Sequence, residues 1–279
     1  MKTAGSHGFS VAFQGEHGAF SEEAARTFFG ESTRTEPCRT VKHVFHAIER
    51  GTTQFGVVPA ENSVEGSVSQ TYDCLLQTSL TICGEVQIRV SHYLLGLPGI
   101  KPDRIRVVYS HPQALGQCSN FLEGLGAVQE PVYDTAGSAK MIREKNLREA
   151  AAIASETAAK LYGLEILRRD IQDFTENLTR FYVIGQDLPD RTGEDKTSIV
   201  FVTNHTPGSL YQALGELATR GINLTKIESR PIKGIPWEYR FFIDFEGHQT
   251  DPASSEAIAA LKKSTTFLKI LGSYPRMAT

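Results

Sequence analysis

Five short stretches of this chain carry the residue types that could do chemistry. Four of them are turns rich in Gly, Ser, Thr and Asn. They are Gln14-Gly-Glu-His-Gly-Ala-Phe-Ser21, Pro59-Ala-Glu-Asn-Ser-Val-Glu-Gly-Ser67, Ser110-His-Pro112 and Asp134-Thr-Ala-Gly-Ser138. Each falls where an apolar run ends and a helical pattern begins. Backbone N–H groups and the helix dipole attract anions at such a junction, and short hydroxyl and amide side chains add donors. Gly15, Ser21, Asn62, Ser63, Ser110, Thr135 and Ser138 are therefore candidate ligands for a small polyanion, carboxylate or phosphate. Taken singly, each turn also reads as an ordinary cap. The fifth stretch is Asn177-Leu-Thr-Arg-Phe181. If it is a strand, Thr179 and Phe181 share one face and Arg180 takes the other. Arg makes forked contacts to carboxylates, and at a strand start it also serves as a solvated surface charge.

Other chemistries lack their residues. No Walker A lysine, G-x-G-x-x-G fingerprint, H-E-x-x-H pair or G-x-S-x-G elbow occurs. Cys38, Cys74, Cys83 and Cys118 form no C-x-x-C pair and no zinc pattern, and read as reduced thiols. No metal site is expected.

The elements that must position these turns follow from periodicity. Strands are expected at 9–13, 55–59, 80–90, 105–109, 128–133, 150–154 and 178–184. Helices are expected at 21–29, 65–77, 112–122, 136–145 and 156–162, with a further one capped by Thr40. Ser21 is expected to cap the first helix. Val41, Val44, Phe45 and Ile48 give the Thr40 helix one apolar face. This alternation argues for α/β structure with largely parallel sheets, in two lobes with a cleft between them. Residues 186–196 are polar and contain Pro189 and Gly193, as a linker would. Beyond it, strands at 197–203, 224–229, 237–245 and 267–271 and helices at 209–220 and 255–263 give the order βαββαβ. That is the ferredoxin-like pattern.

Composition sets limits on function. Lys plus Arg is 29 against 32 Asp plus Glu, a net charge of −3, without the basic excess that phosphate-gripping proteins carry. No apolar run approaches the roughly 20 residues of a membrane span, and the first eight residues lack the apolar stretch of a secretory signal. A cytoplasmic protein with no nucleic-acid or membrane partner is expected.

The motifs in order carry a resemblance. Gly15-x-x-Gly18-x-x-Ser21, Pro59-x-Glu61-Asn62-Ser63-x-x-Gly66, Ser110-His111-Pro112-Gln113-Ala114-Leu115 and Thr179-Arg180-Phe181 together resemble the prephenate dehydratase family. Residues beyond the linker resemble an ACT regulatory domain, through Gly208-Ser209-Leu210 and Glu228-Ser229-Arg230-Pro231. The resemblance spans about residues 8–275. It implies a periplasmic-binding-protein-like two-lobed catalytic region at 8–185, a linker at 186–196 and an ACT domain at 197–275. One departure is visible: Tyr211 stands where the family usually carries a small apolar residue at the first ACT helix.

The resemblance implies conversion of prephenate to phenylpyruvate, CO2 and water, without a cofactor. Arogenate as substrate, or a non-enzymatic two-lobed receptor for a small dicarboxylate, are the alternatives. Because only eight residues precede the first strand, a monofunctional dehydratase is expected. The family ties activity to the Thr of Thr-Arg-Phe, here Thr179. Glu61 and His111 are candidates to supply a proton. Asn177, Arg180 and Phe181 join the substrate-binding set, with Arg180 expected on the pyruvyl carboxylate. A tight ion pair to the departing carboxylate would stabilise the ground state and slow the reaction. Feedback by L-phenylalanine is implied at Gly208, Ser209, Leu210, Asn223, Leu224, Glu228, Ser229, Arg230 and Pro231, in a homodimer or homotetramer.

Overall fold

The computed structural model describes residues 8–277. The chain divides into two compact units, one of residues 8–74 and 86–182, the other of 75–85 and 183–277.

The first unit begins with β1 (Ser10–Gln14), α1 (Phe20–Phe29), β2 (Arg34–Cys38), α2 (Val41–Glu49), β3 (Phe55–Asn62), the short β4 (Gly66–Ser67) and α3 (Ser69–Gln77). Two long strands complete its sheet, β5 (Thr81–Arg89) and β11 (Leu178–Gly185), and both run on into the other unit. The strand order is β2-β1-β3-β11-β5, with β4 on β3. β1 pairs in parallel with both β2 and β3, because Val11, Ala12 and Phe13 are buried on both faces and need helices above and below. α2 supplies one cover through Val41, Val44, Phe45 and Ile48, and Thr40 caps it by accepting from His43 N–H.

A second sheet of the same unit holds β6 (Tyr93–Gly96), β7 (Val107–Ser110), β8 (Val128–Pro131), β9 (Ala150–Ala154) and β10 (Glu165–Arg168), ordered β10-β6-β9-β7-β8. A 3₁₀ turn at Pro102–Arg104 leads into β7. α4 (Pro112–Gly116), α5 (Ser119–Leu125), α6 (Thr135–Lys145) and α7 (Glu156–Tyr162) flank it. β9, Ala150-Ala-Ala-Ile-Ala154, is buried throughout and lets helices pack close on both faces. The sheet is mixed rather than parallel, since β6 runs antiparallel to β9 and β10. β2, β6 and β10 are not legible in the sequence. β2 reads Arg-Thr-Glu-Pro-Cys, an edge strand with no apolar alternation and a proline.

Several boundaries are corrected. Ala19, not Ser21, is the N-cap of α1, and Ser21 lies inside the helix and is buried. The helix expected over 65–77 starts only at Ser69, because Gly66 and Ser67 turn back to pair with Asn62 and Glu61. The helix expected over 112–122 is two, broken between Gly116 and Ser119.

In the second unit, β12 (Asp195–Thr203), α8 (Ser209–Ala218), β13 (Leu224–Pro231), β14 (Tyr239–Glu246), α9 (Pro252–Ser264) and β15 (Thr265–Pro275) form a four-stranded antiparallel sheet ordered β13-β14-β12-β15. Ile199, Phe201, Ala213, Leu217, Ile243, Phe245, Ala257, Ile258 and Leu261 make its core. The expected linker ends sooner than residue 196, since Asp195 and Lys196 are buried in β12. Asp195 accepts from the Thr192 hydroxyl and from the Thr192 and Gly193 N–H groups. Lys196 Nζ lies 2.7 Å from Glu85 Oε1 in the interior of the same unit.

Glu22 is the clearest charge dependence of the fold. Burial works to raise its carboxyl pKa. The Gly18 N–H, the Thr35 hydroxyl, Arg26 and His17 prevail and bring it down to about 2. A carboxyl depressed on folding stabilises the fold above its unfolded pKa, and that stability drains as pH falls from about 4.5 towards 2. Glu22→Gln should therefore cost about 2 kcal/mol at pH 7. It should also flatten the loss of stability over that pH range. Urea unfolding at stepped pH checks both.

Candidate functional site

β1 and β3 are parallel, so their C-terminal ends open on the same edge of the sheet, and β7 presents its end likewise in the second sheet. The turns that follow these strands meet across a cleft of about 660 Å³ within the first unit. Its lining includes Ser21, Arg39, Asn62, Glu65, His92, His111, Gln117, Tyr133, Asp134, Thr135, Thr179 and Phe181.

The turn after β1 fixes the spacing of the two sheets. Gly15 has φ +113° and a Cβ there would stand 2.9 Å from Asp134 Oδ1. Gly18 has φ +88°, and a Cβ would meet the Ala158 backbone at 2.9 Å. Only glycine permits both the conformation and the approach. Ser155 Oγ donates to Gly18 O at 2.7 Å while capping α7. Asp134 caps α6 through Gly137 N–H and also accepts from Glu16 N–H. Burial raises the Asp134 carboxyl pKa, and the N–H groups it accepts from oppose the rise. Glu16 takes the Lys140 ammonium at 2.8 Å and the Tyr133 hydroxyl at 2.5 Å, and the Arg39 guanidinium lies 5.6 Å over the Tyr133 ring.

Thr179 is the candidate that this geometry defines most closely. Its Oγ1 accepts from Asn62 Nδ2 at 2.9 Å, its one side-chain partner among the described residues. Asn62 Nδ2 also donates to Asn177 Oδ1 at 2.7 Å, and Asn62 Oδ1 accepts from the Val64 and Glu65 N–H groups at 2.9 and 3.0 Å. The Asn62 amide is thus spent within the protein, although it borders the cleft. Ser63 clasps the strand that carries Thr179, donating to Glu176 O and accepting from Leu178 N–H.

The expected alternation holds along β11, with Thr179 and Phe181 lining the cleft. Arg180 is therefore not at the cleft wall. It faces Glu61, Nη1 to Oε2 at 3.6 Å, and Glu61 is likewise absent from the lining. Glu61 and Arg180, expected at the substrate, are instead brought to each other. His111 does line the cleft. It caps α4, with Nδ1 accepting from Gln113 N–H at 3.3 Å, so the neutral ring carries its proton on Nε2. Burial pulls its pKa below the usual histidine range, with Glu65 opposing.

The remaining candidates divide the same way. Ser21 and Thr135 line the cleft. Ser110 is buried and donates to Ile153 O, Ser138 donates to Thr135 O, and Asn177 is held by Asn62 and Gln117. Gly15 shapes the turn rather than the wall. Sequence reasoning missed Arg39, Glu65, His92 and Gln117. Arg39 follows the unreadable strand β2, and Gln117 sits at the break between two helices read as one, so no periodicity pointed to either. The cysteines are poor nucleophiles. Burial raises the thiol pKa of Cys38 and Cys83 to about 11 and of Cys118 to about 12.

In the second unit, Gly208 takes φ +83° as the N-cap of α8, with Ser209 and Leu210 in its first turn. Asn223 precedes β13 and its carbonyl accepts from Glu246 N–H, while Leu224 packs on the core. Glu228, Ser229, Arg230 and Pro231 end β13, with Arg230 and Lys226 each 3.5 Å from Glu228.

Comparison with known proteins gives this architecture its class. The family model for prephenate dehydratase matches residues 11–188, and that for the ACT domain matches 197–263. The chain belongs to the prephenate dehydratase family and carries a C-terminal ACT domain. It is 45% identical over 276 residues to the chloroplastic arogenate dehydratase/prephenate dehydratase 2 of Arabidopsis thaliana, covering 95% of this chain and 72% of that one. The crystal structure of prephenate dehydratase in complex with L-Phe from Arthrobacter aurescens superposes with a TM-score of 0.86 at 34% identity, over 96% and 90% of the two chains. A second solved structure, of GqqA, described as a novel type of quorum-quenching acylase, gives 0.85 at 37% identity over 96% and 98%. Among the described residues no helix is long and apolar enough to cross a membrane.

The Gly18 turn yields a direct check. Gly18→Ala combines a disfavoured φ with a backbone clash and should destabilise the protein by about 2 kcal/mol or more. Thermal unfolding should register this as a Tm lower by several degrees.

Proposed function

We propose that the protein is a prephenate dehydratase whose reaction runs in the cleft beside Thr179, and that its ACT domain senses L-phenylalanine. The observation that carries the first part is the Thr179 hydroxyl, which lines the cleft while its oxygen is already engaged by Asn62.

Prephenate loses its C1 carboxylate as CO2. The electron pair of that C–C bond enters the ring as the C4–O bond breaks, and the departing oxygen takes a proton to leave as water. Aromatisation drives the step, so the protein has chiefly to stabilise charge growing on the departing oxygen. A donor already polarised by accepting one hydrogen bond gives the next more strongly. Thr179, so polarised, donates to the C4 oxygen. A Thr hydroxyl holds its proton too tightly to be a true acid near pH 7. In this reading water carries the proton in, and the His111 Nε2–H holds that water.

The substrate keeps one carboxylate through the reaction. Arg180 faces Glu61, and Arg39 is the one Arg or Lys among the lining residues of the cleft. We therefore assign the pyruvyl carboxylate to Arg39 at the mouth of the cleft rather than to Arg180. The departing C1 carboxylate then meets neutral donors such as Ser21 and Thr135, which do not hold back its loss of charge.

For the regulatory part, Gly208–Leu210 offer backbone N–H groups at the start of α8 to the effector carboxylate, and Asn223 and Leu224 stand before β13. β13 is an edge strand with Ile227 half exposed, and Tyr211 and Trp237 are exposed nearby in sequence, which favours assembly of copies through this sheet.

Purified protein should convert prephenate to phenylpyruvate faster than it converts arogenate to phenylalanine. The reverse preference would assign arogenate as substrate, and turnover of neither would remove the dehydratase reading. Thr179→Ala should cut kcat by about 10²-fold or more with a much smaller change in KM, and Thr179→Ser should retain appreciable rate. Arg39→Ala should raise KM about tenfold while changing kcat less, as expected when a binding contact persists unchanged into the transition state. Calorimetry should register L-phenylalanine binding to the intact protein, and no binding at millimolar concentration would overturn the regulatory part.

A further inference from the structure

Behind Thr179 lies a run of buried amides that ends on a histidine. Asn177 is 1% exposed, His92 3%, Gln117 8% and Thr179 8%. Donor and acceptor assignments along this run are not interchangeable. Asn62 Oδ1 receives two backbone N–H groups, from Val64 and Glu65, which fixes the amide so that Nδ2 points inward. Its two hydrogens go to the nearest acceptors, Asn177 Oδ1 at 2.7 Å and Thr179 Oγ1 at 2.9 Å, with Leu178 O a longer third contact at 3.4 Å. Asn177, having spent its oxygen, must present Nδ2 to Gln117 Oε1, at 2.8 Å. That same oxygen faces His92 Nε2 at 3.0 Å. An amide oxygen can only accept, so His92 must carry a proton on Nε2. Its Nδ1 is buried and has no hydrogen-bond partner among the described residues.

From these directions we infer that Asn62 is a positioning residue, held in orientation by its own turn and by the Asn177–Gln117–His92 chain, which commits the Thr179 hydroxyl proton to the cleft. Turning Gln117 over would set its NH2 against the NH2 of Asn177. Righting Asn177 would then set its NH2 against that of Asn62. Asn177 thus sets the Gln117 orientation, and His92, with its proton on Nε2, donates to the same Oε1 and adds to it. Burial pulls the His92 pKa below the usual range, so it stays neutral near pH 7, while its bond to Gln117 opposes the shift. The inference rests on Thr179 acting in the reaction, but the hydrogen-bond directions do not.

The decisive variant is Asn62→Asp. A carboxylate still accepts from Val64 and Glu65 N–H, so the turn is kept. It can no longer donate to Thr179, whose hydroxyl then turns to the carboxylate and away from the cleft. The expected result at pH 7.5 is a kcat loss comparable to that of Thr179→Ala. The kcat ratio of variant to wild type should rise as pH falls through the pKa of the introduced carboxyl, because the protonated acid donates again. Glu61 with Arg180, Glu65, His92 and His111 are the other charged or ionisable groups around this position, and both proteins carry them. The ratio removes their shared effect. A kcat loss that does not change with pH, or no loss, would overturn the inference.

A second measurement needs no variant. Nitrogen-15 NMR of the wild-type protein should find His92 neutral with its proton on Nε2 from pH 6.5 to 8. A proton on Nδ1 would overturn the chain even if Asn62→Asp failed to fold. Absence of any turnover by wild type would sink the dehydratase reading alone, and the NMR result would still decide the direction of the chain.

Discussion

The side-chain amide of Asn62 is the constraint on which the site depends. Five hydrogen-bond contacts converge on it, two received from the turn that follows β3 and three given to β11 and the residue before it, the one to Leu178 O being long at 3.4 Å. Each such bond contributes only about 1 kcal/mol net, but a buried donor or acceptor left without a partner costs about 1–3 kcal/mol. The arrangement is therefore specific more than it is strong. Any alternative register of β3 against β11 strands several polar groups at once.

That local demand explains larger features of the first unit. Gly66 and Ser67 turn back on β3 instead of joining a helix, and the early turn keeps Val64 and Glu65 N–H directed at Asn62. Ser63 spends its hydroxyl and its N–H on β11. Across the cleft, Gly15 and Gly18 let the turn after β1 approach Asp134 and Ala158 more closely than any side chain would permit. One edge of the first sheet is thereby brought against the helix starts of the second. The cleft is the space those two contacts leave.

Much of this was legible beforehand, and the failures have physical causes. β9 and α7 fell where their composition put them, because an all-Ala/Ile run followed by a Ser cap leaves little freedom. The turns were found because Gly, Ser, Thr and Asn in that density have few other uses. Side-chain destinations were not legible. Ser110, Ser138 and Asn177 have the right chemistry for a ligand, yet they satisfy the protein's own carbonyls and amides. One sequence cannot distinguish a donor aimed at solvent from one aimed at a carbonyl 43 residues away. Strand alternation did predict that Thr179 and Arg180 part company. What it could not show is that Glu61 waits on the far face to receive Arg180. Arg39 escaped because the strand that delivers it has no hydrophobic signature.

The central claim is that a Thr179 hydroxyl oriented from behind by Asn62 donates to the leaving oxygen. The most direct measurement is a high-resolution structure of the protein with a substrate analogue that retains the C4 hydroxyl and both carboxylates but cannot aromatise. The account predicts the analogue's C4 oxygen at about 2.7 Å from Thr179 Oγ1, with the Asn62 contact kept and the persisting carboxylate on Arg39. A C4 oxygen out of hydrogen-bonding reach of Thr179, or an Asn62 amide that leaves Thr179 to bind the analogue itself, would contradict it.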